Sequence, residues 1–300
     1  MTLFKRSTYL TILLLLFITL KVSAVKEVTP SQVFSEARAL ENAINKFSKN
    51  ESNRLNSMKL FDAKPLHVYA IATALNEKVG LLMDIEGLSD IKRHAFPNED
   101  IQPKNVLKLI KVIQSNIQKL KPETQFERKI VQGKSPRDVL RVLIRTNLLL
   151  DNLVDKTFSP KYLYTMVQQL KKNLMHAIVQ SGRRLPKSNF ALFSNVESKD
   201  LFVNAENMFK TLMNTTRLKF DQDYPERPYY SPYDKSEIRP YHVYTITVMN
   251  IVLFKDLIRR YDIPQYNNEK LTISSVVSPA HIYAEYEKVL YLMYFFNMKN

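Results

Sequence analysis

A five-residue pattern recurs eight times from residue 30 onward, and it constrains the fold more than any other feature of the chain. Its third residue is Gln, His, Asn, Asp or Tyr, and its fourth and fifth residues are apolar or aromatic. The copies begin at Pro30, Pro65, Pro103, Pro136, Pro160, Ser198, Pro240 and Pro279. Proline suits the first position of a helix because its φ angle is already helical and its missing N–H would have no partner there. Each copy therefore predicts the start of a helix.

The residues around each copy support the same interpretation. In four copies a serine or threonine, which is a favoured N-cap residue, precedes the first position: Thr29, Ser135, Ser159 and Ser278. We expect the third side chain to reach the unpaired amides of the first turn. An apolar residue stands before the cap in most copies, and we expect it to pack on the fourth helical residue as a hydrophobic staple.

The spacing of the copies predicts the fold class. The chain has only four glycines, fewer than turn-rich β folds or nucleotide-binding α/β folds use, so the composition also favours helices. The shortest interval between starts separates Pro136 from Pro160 and divides the copies into four and four. We predict an all-α fold of two tandem up-and-down four-helix bundles, residues 25–158 and 159–300. An α-solenoid of helical repeats is the alternative.

The hydrophobic periodicity predicts which helices are buried. The helix after Pro103 carries apolar residues on one face and lysines on another, as a surface helix should. The helices after Pro240 and Pro279 are apolar nearly all round, and we expect them to form the buried centre of the second bundle.

The first 24 residues have the composition of a signal peptide. Lys5 and Arg6 precede the apolar stretch Tyr9–Leu20, and Val22-Ser23-Ala24 has the form of a cleavage site. We therefore predict cleavage after Ala24 and a periplasmic or secreted product with no later transmembrane span. The chain lacks cysteine, which excludes disulfides, cysteine zinc sites and thiol catalysis, and which favours the bacterial envelope over the eukaryotic secretory route.

Positive charge is the main functional signal. The formal net charge is +15, and the segment Ile101–Arg145 has eleven Lys and Arg residues against three acidic ones. Residues three and four apart share a helix face, so we expect two stripes on adjacent helices to form one basic binding surface. Its candidate residues are Lys104, Lys108, Lys111, Arg137, Arg141 and Arg145. The expected partner is an acidic envelope polymer, an anionic membrane surface or an acidic protein. Export argues against nucleic acid, and a solvated face that only aids solubility is the alternative.

Two long connectors supply a second candidate. Segment 218–239 holds Tyr229, Tyr230 and Tyr233 among three prolines, and segment 183–196 holds Phe190 and Phe193. Long loops in compact domains are often functional, and tyrosine suits contact with ligands. The alternative function is therefore a periplasmic small-ligand-binding protein with a pocket near the tyrosines. The rings could equally cover an exposed end of the bundle.

Catalytic motifs are missing from the sequence, including HExxH, GxSxG, glycine-rich phosphate loops and EF-hand loops. His67, His242 and His281 share the third position of the pattern, where other copies have Gln, Asn or Asp. A helix-capping role explains all of these residues, so we predict no metal site and no cofactor. The sequence favours a non-enzymatic interaction or scaffold protein of the bacterial envelope.

Overall fold

The computed structural model describes residues 27–48, 63–88, 91–92, 94–155, 158–187, 190, 193–220, 238–266 and 276–297. These residues form eight α-helices and no β-strand, so the all-α helical-bundle prediction is confirmed. The helices are α1 Pro30–Ser48, α2 Pro65–Ile85, α3 Pro103–Leu120, α4 Pro136–Val154, α5 Pro160–Gln180, α6 Ser198–Phe220, α7 Pro240–Arg260 and α8 Pro279–Asn297. Each helix begins at the first residue of one copy of the pattern.

The third residue of the pattern caps its helix in seven of the eight copies. Its side chain accepts a hydrogen bond from the backbone N–H of the residue before the helix, at distances from 2.8 Å for Asn105 to 3.2 Å for His281. The seven acceptors are Gln32, His67, Asn105, Asp138, Asp200, His242 and His281. This amide precedes the helix, whereas we had expected the bond to go to the first turn. In the remaining helix, the Ser159 hydroxyl accepts from the Lys161 amide instead.

The four helices of the first bundle run in the same direction. Their first and fourth residues together line one small apolar depression of about 220 Å³: Pro30, Val33, Pro65, Val68, Pro103, Val106, Pro136 and Val139. All four starts therefore lie at one end, since each helix is roughly 30 Å long. The chain does form bundles, but the expected up-and-down direction is wrong.

The connector after α3 shows how parallel helices are possible, because it runs back along the bundle. After α3, Glu127 pairs with Lys46 in the last turn of α1. Further on, the Lys134 amide donates to the Ser31 hydroxyl at the first turn of α1, at 3.0 Å. The connector therefore returns the chain to the end where α1 began. About 15 extended residues are long enough to span such a helix.

The second bundle repeats the arrangement of the first. Asn204 in α6 donates to Glu287 in α8 at 3.0 Å, and these are the seventh and ninth residues of their helices. In the first bundle α1 and α2 each pack against α3 and α4, and in the second α5 and α6 each pack against α7 and α8. The helices α1 and α2 therefore lie at diagonal corners of the first bundle, as do α3 and α4. The helices α5 and α6, and likewise α7 and α8, have the same relation in the second bundle. This matching order supports the internal repeat.

The two bundles meet where α2 packs against α7. Tyr241 in the first turn of α7 lies beside Lys78, late in α2, and Arg259 in the last turn pairs with Asp100, just before α3. The helix α7 therefore runs opposite to the first bundle. The buried apolar residues form one continuous cluster through both bundles. The division into separate domains at residue 158 stays a prediction.

Burial follows these contacts. The helix α7 is buried nearly all round, as expected, but α8 is not, because Tyr291 and Tyr294 are exposed on its outer face. The second helix with little exposed surface is α2, since it packs on two helices of its own bundle and on α7.

The capping bond of Asp138 allows a stability test. Its carboxylate accepts from both the amide and the hydroxyl of Ser135, so Asp138→Ala should lower the free energy of unfolding by about 0.5–2 kcal/mol. Asp138→Asn is the matched control because it keeps an acceptor oxygen, as Asn105 does in α3. Urea denaturation of both variants measures the difference. Equal losses would show that the acceptor does not stabilise this helix start.

Candidate functional site

The lysine stripe of α3, which consists of Lys104, Lys108 and Lys111, lies on the exposed side of its helix. The opposite side is buried in the bundle core through Val106, Ile110 and other apolar residues. Lys104 pairs with the exposed Glu99 at 2.8 Å, and their hydrogen bond lowers the pKa of the Glu99 carboxyl. Lys108 and Lys111 form no ion pair with any residue that the structure describes. Among the described residues, two of the three amines thus have no ion-pair partner, and the exposed Lys104–Glu99 pair is weak enough to exchange for another anion.

The arginines of α4 are arranged differently. Arg137 is exposed, Arg141 is partly buried, and Arg145 turns toward α1, where its Nε lies 2.8 Å from Glu41. Glu41 is buried and also pairs with Arg38. Removing one partner would leave a buried charge without compensation. Arg145 therefore helps to hold α4 against α1, and its role as a binding residue stays a prediction.

The two predicted stripes do not form a single surface. The helices α3 and α4 lie at diagonal corners of the first bundle, each packed on α1 and α2. The prediction that they were adjacent followed from their order in the chain. That order does not determine adjacency, because the connector between them runs back along α1.

Buried carboxylates on α1 neutralise part of the positive charge. Glu36 forms an ion pair with Arg128 at 2.8 Å and accepts a hydrogen bond from Gln114 in α3 at 3.0 Å. Glu41 likewise forms an ion pair with Arg145. The positive net charge of residues 101–145 therefore comes partly from arginines that form internal ion pairs and partly from lysines that are exposed.

The structure describes only some of the aromatic residues predicted to bind a ligand in the two long connectors. Tyr229, Tyr230 and Tyr233 lie outside the described residues, so their role stays a prediction. Phe190 and Phe193 lie edge-on against Tyr291 and Tyr283 of α8, with ring centroids 5.9 and 5.3 Å apart. These rings run along the side of α8 and do not cover an end of the bundle.

A buried charged cluster at the bundle junction has no counterpart among the sequence predictions. Lys78 of α2 is fully buried and forms an ion pair with Asp151 of α4. Its amine lies 5.8 Å from the ring centroid of Tyr241, and His242 Nε2 lies 3.9 Å from Asp151. Burial lowers the pKa of Lys78, although the attraction of Asp151 opposes the shift. The cluster joins α2 and α4 to the first turn of α7.

The only sequence signal for this cluster was a lysine and an aspartate on otherwise apolar helix faces. Lys78 stands between Leu75, Val79 and other buried residues, and Asp151 follows Leu150. A charged residue at such a position has no assignable partner until the fold brings the two helices together.

The three histidines of the pattern, His67, His242 and His281, act as caps, and the first two are buried. His67 and His242 accept the capping bond through Nδ1, which therefore carries no proton. Burial, and secondarily nearby positive charges, lowers the pKa of each to about 3. His281 makes the same bond from an exposed position. Across the described part of the chain, no three His, Asp or Glu side chains are grouped to hold a metal ion.

None of the helices that the structure describes is long and apolar enough to cross a membrane. Comparison with protein-family models, with curated proteins and with solved structures finds no significant match to this chain.

The buried histidines predict a pH dependence of stability. Their folded pKa of about 3 lies below the ordinary value of 6.5, so the unfolded chain binds more protons between these values. Stability should be fully present above about pH 6.5 and fall toward pH 3, by about 1.4 kcal/mol per pH unit for each histidine. Urea denaturation between pH 7.5 and pH 4 measures this slope.

His67→Asn and His242→Asn should each reduce the slope, because asparagine keeps the capping oxygen but does not titrate. His281→Asn is the matched control, since this histidine makes the same bond from an exposed position. An unchanged slope in both buried variants would contradict the assignment.

The ion pair at the junction predicts non-additive mutational effects. Lys78→Met alone should destabilise the protein by about 3–5 kcal/mol, because it leaves the Asp151 carboxylate buried without its amine. The double variant Lys78→Met/Asp151→Leu should recover most of this loss, because apolar pairs often replace buried ion pairs without penalty. Unfolding free energies of the two singles and the double give the coupling. Additive losses would mean that the two groups stabilise the junction independently.

Proposed function

We propose that this chain is a non-enzymatic binding or scaffold protein of the bacterial envelope that contacts an anionic partner through the lysine stripe of α3. The α4 arginines, which we first grouped with this stripe, are not part of the proposed contact.

One observation carries the proposal: Lys108 and Lys111 are exposed and form no ion pair with the described residues, whereas Arg128 and Arg145 pair with buried carboxylates. An exposed amine contributes little to folding, so its charge remains available for long-range attraction of an anion. The helix that carries the amines is fixed by its buried apolar face. The stripe is therefore a rigid positive surface.

The alternative function, binding of a small ligand, has less support. The apolar depression at the starts of α1–α4 holds at most about 220 Å³, a volume that includes open solvent above it. Small-molecule pockets are usually larger, at about 300–1,000 Å³. The predicted pocket beside Tyr229, Tyr230 and Tyr233 involves residues outside the described ranges. Binding through the lysine stripe therefore remains the first proposal.

Charge reversal tests the proposed contact. The double variant Lys108→Glu/Lys111→Glu should lose most binding to polygalacturonate and to vesicles of phosphatidylglycerol and phosphatidylcholine (3:7) in co-sedimentation. Its thermal midpoint should change little, because exposed charges contribute weakly to stability. Binding by the wild type should fall steeply between about 0.01 and 1 M salt, where the screening length shrinks from about 30 to 3 Å.

Lys161→Glu is the control for total charge, because Lys161 is an exposed lysine at the start of α5 in the other bundle. It should bind like the wild type. Equal binding by the wild type and the double variant, or binding that ignores salt, would refute the proposed contact.

A further inference from the structure

A fourth amine extends the lysine stripe from outside α3. Lys92 belongs to the connector between α2 and α3, and its Nζ lies 3.2 Å from the hydroxyl of Ser115. Ser115 is the residue of α3 four positions after Lys111, on the same face. Lys92 therefore places an amine where the sequence of α3 lacks one.

The backbone of Lys92 is fixed by a buried asparagine. Asn116 is fully buried; its Oδ1 accepts from the Lys92 amide at 3.0 Å, and its Nδ2 donates to the Lys92 carbonyl at 2.9 Å. The same Nδ2 donates to Asn76 of α2 at 3.1 Å. These bonds fix the backbone of Lys92 between α2 and α3, and its amine therefore lies beside the lysine stripe.

The four amines belong to one face of α3, through positions 104, 108 and 111 and through the contact of Lys92 with Ser115. With a rise of 1.5 Å per residue, positions 104, 108, 111 and 115 are about 4.5–6 Å apart along the helix axis and span about 16 Å. Successive amines are therefore separated by approximately one helical turn. A compact anion meets only one or two of them, whereas an extended chain with regularly spaced charges meets all four.

We propose that the row Lys104, Lys108, Lys111 and Lys92 binds a linear acidic polysaccharide that carries one carboxylate or sulfate on each sugar unit. A pyranose unit is about as long as one helical turn, so successive charges of such a chain meet successive amines. This inference rests on the proposed function and specifies the chemistry of its partner.

Two other polyanions suit the row less well. Single-stranded nucleic acid is normally held by aromatic stacking as well as by charge, and α3 contains no aromatic residue. A lipid surface is normally held by an apolar helix face as well as by charge, and the apolar face of α3 is buried in the bundle core. A polysaccharide needs only the row of charges and hydrogen-bond donors.

Calorimetric titration with oligogalacturonates of two to eight units, at low salt, tests the inference. The affinity of the wild type should rise with each added unit up to about four units and then level off. In Lys92→Gln the rise should end one unit earlier, and the tetramer should bind about two- to fivefold more weakly, which is the range for one exposed charge pair. Lys161→Gln should follow the wild-type curve.

The outcomes separate the two proposals. If Lys108→Glu/Lys111→Glu abolishes oligomer binding but Lys92→Gln behaves like the wild type, the four-amine row is refuted and the proposed function stands. Tighter binding to oligothymidylate or to phosphatidylglycerol vesicles than to the octamer would overturn the polysaccharide assignment. If the wild type binds none of the anionic probes, both the row and the proposed function fail.

Discussion

The bond from the third residue of each pattern to the amide before its helix is the interaction on which the architecture depends. In a parallel bundle, four helix starts meet at one end, where unpaired N–H groups and the positive ends of the helix dipoles accumulate. The proline removes one N–H, and the third side chain accepts another, as Asn105 and Asp138 do in α3 and α4. Valines at the fourth position then close the apolar space below. The pattern recurs at the start of all eight described helices because each start faces the same requirement.

The parallel direction also determines where charge is left exposed. The connector after α3 returns along the first bundle and brings Arg128 to Glu36 on α1. The connector after α2 follows α3, where Asn116 holds Lys92 beside the lysine stripe. Arg128 and Arg145 are thus engaged in internal ion pairs, whereas Lys108 and Lys111 remain at the surface. This division gives the basic segment one candidate binding face.

The ion pair at the junction of the bundles favours one packing of the helices over others, but it adds little stability. A buried ion pair such as Lys78–Asp151 gains little net stability over an apolar pair, but it strongly disfavours any packing that separates its members. His242 caps α7 while facing this pair, so its ring must stay neutral for the cap to form. The junction therefore favours one arrangement of α2, α4 and α7, at the expense of stability in acid.

The sequence by itself determined the fold class, the first residue of each helix, the residues that cap it and the exposed face of α3. These features depend on local chemistry: the φ angle of proline, the reach of a side chain over three residues and the helical period. Tertiary structure alone decided the common direction of the helices, the burial of α2, the pairing of Lys78 with Asp151 and the place of Lys92. A connector of about 15 residues is long enough either to join neighbouring ends or to return along a helix, so periodicity cannot distinguish the two. Which charges meet depends on that choice, because the partners come from distant parts of the chain.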